Sequence, residues 1–587
     1  MASDNPETWA DTAQFDQLKE NFEKVEQLSR RLIGVMASKP VHAPALDSPS
    51  QELFARAASA YWVDAWQNPT RLLEQQFDYW GKSLMTLVGA RQDDDAARDR
   101  RFSNPMWDDN PYFRFLRQQY ENNAEAIAQA VSATEGLDAK DKQRLRYFSQ
   151  QIVDMMAPTN FLATNPDALE KAVETEGQSL IRGLENLVED LEANNGELVV
   201  KLADDNAFEV GGNIATTPGD VVFRNRMIEL IQYKPATETV HETPIVLFPP
   251  WINKFYILDL KAQNSMIKWV TEQGYTLFVV SWVNPDRSYA DVGMEDYVQD
   301  GFLAAIEEAK AICGVEQVNA VGYCIAGTTL SLTLSLLKQR GDTSIKSATF
   351  FTTLTDFGEQ GEFTPFLQND FIEGIEEQVS RDGVLQSWIL GRTMSFLRAR
   401  DLIYTPAIRN YMMGETPPAF DLLYWNGDGA NLPGKMAVQY LRGLCQNNAF
   451  VGEGFKLMGH NLHISDVDVP LVSITCETDH IAAWKDCYRG VQQMGSKSKT
   501  FIVSESGHIA GIVNPPSKKK YGYYTNANLR GDADNWMAEA KFQDGSWWPM
   551  WGDWLSERSG PQVPARKPTH PTLGPAPGTY VTQSATL

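Results

Sequence analysis

The chain has 587 residues, more than one hydrophobic core supports, so two or more domains are expected. Apolar residues make up 43% and aromatic ones 11%, which fits a globular protein rather than a disordered one. The net charge of −24 argues against a general nucleic-acid or anionic-membrane binder, since either needs a basic face.

The N-terminus, MASDNPETWADT, shows no basic segment followed by an apolar one, so no signal peptide is expected. Up to about residue 204 the pattern is helical and polar. FDQLKENFEKVEQLSRRLIGVMA and PDALEKAVETEGQSLIRGLENLVEDLEANNG repeat apolar residues every three or four positions. Between them, RFSNPMWDDNPYFRFLRQQY carries Trp107, Tyr112, Phe113 and Phe115. These aromatics read as docking helices on a neighbouring domain, or as an adhesive surface for a partner or an apolar product.

From residue 205 to 587 short apolar runs alternate with helical patterns. VVFRNRMIELIQYKP reads as a strand pair, and TPIVLFPP, YTLFVVSW, QVNAVGYC and SATFFTTL as buried strands. SMIKWVTEQG, GFLAAIEEAKAICG and LSLTLSLLKQRG read as the helices between them. The alternation predicts an α/β architecture, a mostly parallel sheet with helices on both faces. It stops over about 360–440, a helix-and-loop stretch that reads as a cap inserted into the domain, and resumes with VPLVSITCETDH and KTFIVSESGHIAG. NWMAEAKFQDGSWWPMWGDWL reads as a terminal helix packed on the sheet, or as a contact surface for polymer or partner. The Pro-rich tail from Ser556 is expected to run extended over the surface. No run of about 18 apolar residues occurs, so no transmembrane segment is expected. The five cysteines (Cys313, Cys324, Cys445, Cys476 and Cys487) lack metal-ligand spacing. Neither a metal site nor a disulfide framework is expected, and a reducing cytoplasmic compartment suits the chain.

The chemistry centres on AVGYCIAGTT. A cysteine after an apolar run is by default a buried small hydrophobe. Here, however, Gly322 precedes Cys324 in a strand–turn–helix setting, the place of a G-x-nucleophile-x-G elbow. The second glycine of that pattern is Ala326, with Gly327 one residue later. Asp479 follows the strand PLVSITC, and His508 follows the strand KTFIVS. Nucleophile, acid and base thus arrive in hydrolase order, each beyond the end of a predicted strand. In this reading His508 takes the Cys324 proton and Asp479 orients the imidazole. The Ile325 amide is the first oxyanion donor, and Trp251, the first residue with an amide after Pro249 and Pro250, supplies the second. A cysteine nucleophile suits acyl thioesters, because attacking and leaving groups are then both sulfur.

PPWINKFYILDL, GYCIAGT, FDLLYWNGDGANLPG, ETDHI and SGHIAGIVNPP together resemble the polyhydroxyalkanoate synthases. The length and the helical N-terminal portion resemble the single-subunit short-chain class. The resemblance implies an α/β-hydrolase core with a helical cap and a separate helical N-terminal region. It implies polymerisation of (R)-3-hydroxyacyl-CoA with release of CoA, the acyl chain growing on Cys324 and the His508–Asp479 pair helping to activate the 3-hydroxyl. It also implies a homodimer, attachment to polymer granules and their associated proteins, and no cofactor beyond the CoA of the substrate. The usual family elbow has glycine where Ala326 stands. Trp425 matches a characteristic tryptophan of the family, with core packing as its other reading. Asn253 and Arg398 are candidate CoA contacts, since a guanidinium suits phosphate, or else fold-supporting hydrogen bonders. His480 reads as structural or pocket-shaping. Lys518, Lys519 and Lys520 form a charge run that is solvated or attracts CoA phosphates. The enzymatic alternative is a cysteine-nucleophile hydrolase of an ester, thioester or lactone. The non-enzymatic alternative is a granule-coat protein with a vestigial triad.

Overall fold

The computed structural model describes residues 6–37, 69–87, 99–359, 361–568 and 572–585. Parts of the expected N-terminal helical region and of the Pro-rich tail lie outside them. The chain divides into two compact units: Met1–Asp204 with Arg392–Pro418, and Asp205–Gly391 with Ala419–Leu587.

Among its described residues the first unit holds helices and connecting loops but no strand. Its helices include Pro6–Ala37, Pro69–Leu87, Pro111–Ala133, Ala139–Met155, Pro166–Glu174 and Gln178–Ala193. Local sequence explains several starts. Asn110 and Asn165 each accept a backbone N–H at the head of a helix that opens on proline, and Asp138 caps the helix opening at Ala139. The aromatic segment does not act as a uniform adhesive face. Phe102, Trp107 and Phe113 bury one another inside this unit, with Phe102 and Trp107 rings 4.9 Å apart and Trp107 and Phe113 rings 5.6 Å apart, while Tyr112 stays exposed. Residues 392–418, which the sequence pattern assigns to the cap insertion, belong to this unit. There, Asn186 donates to the Asn410 carbonyl at 2.9 Å, and the Tyr411 hydroxyl donates to Asp190 at 2.5 Å.

The second unit is built on a ten-stranded sheet. In spatial order its strands are Gly219–Arg224, Ile228–Tyr233, Leu277–Trp282, Ile245–Phe248, Val318–Tyr323, Ile345–Phe351, Leu471–Cys476, Lys499–Ser504, Tyr523–Thr525 and Lys541–Gln543. The central six pair in parallel, and the two strands at each end are antiparallel. The parallel strands are apolar runs buried almost throughout, as a sheet covered on both faces requires. This is the expected α/β class.

Two readings at the C-terminal end need correction. The Trp-rich stretch is not one helix. It is a short helix Ala533–Ala538, the edge strand Lys541–Gln543 and a helix Trp548–Ser556, interrupted where Gly545 takes a positive φ of 89°. The Pro-rich tail is not a surface strand throughout. Gln562–Pro564 pairs with Thr239–His241, and Ser559 and Val581 are buried.

Candidate active site

Cys324 stands at the sharp turn between the strand Val318–Tyr323 and the helix Ile325–Arg340. Its φ of 55° and ψ of −124° are strained for a residue with a Cβ, and the Cys324 N–H is pinned to the Phe351 carbonyl at 2.8 Å. The turn closes because two glycines meet. A Cβ on Gly322 would lie 2.6 Å from the Gly327 Cα, and one on Gly327 would lie 2.0 Å from the Thr353 Oγ1. The close approach therefore falls on Gly327 rather than on position 326, where Ala326 is accommodated fully buried.

Asp479 lies just beyond the strand Leu471–Cys476. Its Oδ1 accepts the N–H groups of Ile481 at 2.8 Å and Ala482 at 2.9 Å, which aims Oδ2 at the Nδ1 of His508, 2.7 Å away. Cys324 lies close enough to His508 to act on its basicity together with Asp479. Burial alone would lower the basicity of His508, but the charge of Asp479 and the bonds to Asp479 and Cys324 override it. Its pKa is pushed up to about 10. The environment therefore strongly favours the imidazolium, the form His508 takes once it holds the Cys324 proton. Cys324, Asp479 and His508 are thus brought together, with Asp479 bonded to His508 and Cys324 beside it.

Tyr323 and the Trp-rich segment hold the histidine loop in place. The Tyr323 hydroxyl donates to the His508 carbonyl at 3.2 Å. The indoles of Trp547 and Trp548 donate to the carbonyls of Gly511 at 2.8 Å and Ile512 at 2.9 Å, so the Trp-rich segment clamps the histidine loop as well as covering the sheet. Burial pushes the Tyr440 phenol up, so it stays protonated. Its ring meets that of Trp251 edge-on at 5.7 Å, inside the π-helical turn Gln439–Gln446. The indole donors were legible only as aromatic density, and Tyr440 carried no signal.

Of the two oxyanion candidates, Ile325 is the first residue of its helix, where an N–H has no intrahelical acceptor. Trp251 follows the strand Ile245–Phe248, which pairs with the Cys324 strand through Phe248 and Gly322. Its indole donates to Thr329 Oγ1 at 3.2 Å, one turn into the Cys324 helix. Asn253 lies in the same loop, bridged to Gly429. Trp425 is buried in the core cluster and its indole donates to the Lys254 carbonyl at 2.7 Å. Arg398 belongs to the other unit and is exposed. Lys518, Lys519 and Lys520 are exposed on the chain beyond His508, with Lys520 over the Tyr521 ring at 4.8 Å. Among the described residues no cluster of three or more His, Cys, Asp or Glu side chains is arranged to hold a metal ion. All five cysteines are free thiols.

The strand order, the strained elbow, and an acid and a histidine following in that sequence define the α/β-hydrolase fold. The profile of that fold matches residues 244–515, and the profile described as "Poly-beta-hydroxybutyrate polymerase (PhaC) N-terminus" matches residues 98–270. The chain is 40% identical over 529 residues to the poly(3-hydroxyalkanoate) polymerase of Methylorubrum extorquens, covering 89% of this chain and 87% of that one. It is 39% identical over 535 residues to the PhaC polymerase subunit of Rhizobium meliloti, covering 89% and 87%. It is 39% identical over 497 residues to that of Cupriavidus necator, covering 83% of each. The chain belongs to the poly(3-hydroxyalkanoate) polymerase family and is an enzyme of the acyltransferase type.

Proposed function

We propose that this chain polymerises (R)-3-hydroxyacyl-CoA into polyhydroxyalkanoate through acyl-cysteine intermediates on Cys324. The observation that carries the reading is the Cys324–His508–Asp479 line, with Asp479 Oδ2 2.7 Å from His508 Nδ1 and the thiol on a strained elbow. His508 takes the thiol proton, and the Cys324 sulfur attacks the thioester carbonyl. The N–H groups of Ile325 and Trp251 receive the oxyanion. The CoA thiolate leaves with the proton held on His508. His508 then takes the 3-hydroxyl proton of a second acyl-CoA, whose oxygen attacks the acyl-Cys324 carbonyl; the ester bond forms as the Cys324 sulfur leaves and recovers the proton from His508. Each step uses groups of this chain, and CoA enters only as part of the substrate. Asn253 is the proposed CoA contact in the loop carrying Trp251, and Trp425 supports the site through the Lys254 carbonyl. Action at a cytoplasmic granule surface, as a homodimer, rests on the resemblance to the polyhydroxyalkanoate synthases. Among the described residues no helix is long and apolar enough to cross a membrane.

The test supplies (R)-3-hydroxybutyryl-CoA and follows free CoA together with insoluble polymer. Wild type should release CoA in step with polymer, and Cys324→Ala should make neither. Release of CoA with only the monomeric acid formed would establish a hydrolase instead. Granule formation unaffected by Cys324→Ala would establish a coat protein.

A further inference from the structure

Residues 572–585 are stitched into the second unit by bonds that end at the loop carrying Trp251. Glu229 sits fully buried in a strand that is otherwise largely apolar. A buried carboxylate is costly unless its oxygens are bonded. Here it accepts the Thr579 N–H at 2.8 Å, the Thr579 hydroxyl at 2.8 Å and the Tyr580 N–H at 3.0 Å, and Arg224 Nε donates to it at 2.7 Å. Gly578 passes so close that a Cβ would lie 2.3 Å from Glu229 Oε2, at a φ of 83°. A tail that only covers surface needs no such anchor.

Beyond the anchor, Val581 is buried and the Gln583 carbonyl accepts the Lys254 ammonium at 2.8 Å. Lys254 is three residues after Trp251. It is itself buried, pairs with Asp428 at 2.7 Å, and its carbonyl takes the Trp425 indole. A small cavity is lined by Trp251, Asn253 and Lys254 on the loop and by Tyr580 and Val581 on the tail. The Trp251 indole in turn bonds the Cys324 helix through Thr329.

We propose that residues 578–583 form a positioning strap for acyl transfer: Glu229 clasps it, and its Gln583 carbonyl holds Lys254, fixing the loop whose Trp251 amide receives the oxyanion. This rests on the acyl-cysteine reading above. The strap touches neither the thiol nor the imidazole, so its loss should slow turnover without weakening substrate binding or thiol reactivity.

Gly578→Val in the full chain should expel the strap, seen as new protease cleavage within residues 572–585. With it, kcat should fall about tenfold or more, the scale of a misplaced oxyanion donor, while KM stays within about threefold. Alkylation of Cys324 by iodoacetamide should keep its wild-type rate. Adding a synthetic peptide of residues 572–583 should restore much of kcat, which a merely destabilised core would not allow. Should Gly578→Val fail to fold, Lys254→Met keeps the buried stem and deletes both the bond to the strap and the pair with Asp428; it should show the same kcat loss, while Asp428→Asn, which breaks only that pair, should not. A protease-accessible tail with full turnover, or no kcat loss in Lys254→Met, overturns the strap alone. Full activity in Cys324→Ala overturns the acyl-cysteine reading itself, so the two failures are distinguishable.

Discussion

Asp479→Asn changes one contact and leaves the rest of the site in place. The Oδ1 bonds to the Ile481 and Ala482 amides survive, while the atom 2.7 Å from His508 Nδ1 becomes an NH2 group facing another donor. The imidazole must then carry its proton on Nε2, the nitrogen that has to accept from Cys324. Charge is lost as well. His508 rises from 6.5 to about 10 against its burial, with Asp479 the largest contribution in that direction. A rise of that size is worth about 5 kcal/mol. Losing half to all of it slows acyl transfer by roughly 10²- to 10⁴-fold. The assay is the initial rate of CoA release at saturating (R)-3-hydroxybutyryl-CoA, paired with thermal unfolding from pH 6 to 11. Because the folded pKa of His508 lies above its unfolded value, its stabilisation is complete below pH 6.5 and is lost as pH rises through about 10. Wild type should lose melting temperature across that window, and Asp479→Asn should show a flatter profile. Turnover within about threefold of wild type, with an unchanged stability profile, would refute the reasoning.

Two further substitutions probe the scaffold. Gly327→Ala drives a methyl to within 2.0 Å of Thr353 Oγ1 and should destabilise the second unit by about 1–3 kcal/mol, measured by denaturant unfolding. Trp425→Phe keeps an aromatic ring in the core but removes the 2.7 Å bond to the Lys254 carbonyl. It should cost about 1–3 kcal/mol in the same measurement.

The elements most legible in the sequence are those set by local pattern. The parallel strands are short apolar runs, and the order of Cys324, Asp479 and His508 after their strands needs no knowledge of distance. What escaped the sequence depends on residues far apart in the chain. The tight spot of the elbow is Gly327 because Thr353 packs against it, and no local motif records that. The tail reads as a solvated Pro-rich segment because its anchor, Glu229, stands 350 residues earlier and resembles an ordinary polar position in a strand. The Trp-rich stretch looks like a single amphipathic helix until the positive φ of Gly545 breaks it.

The membership of residues 392–418 in the first unit bears on how this chain is made. Helix Gln178–Ala193 leaves the ribosome more than two hundred residues before Asn410 and Tyr411, whose carbonyl and hydroxyl it binds. At translation speeds of about 5–20 residues per second, that helix waits roughly ten to forty seconds for its partners. Gly183 lets the Tyr411 carbonyl approach so closely that a Cβ would lie 2.0 Å from its oxygen, a contact that cannot form until residue 411 is made. The N-terminal unit is therefore first to begin but cannot finish folding until residue 418 has been made, and a fragment ending at residue 204 lacks the segment that completes it.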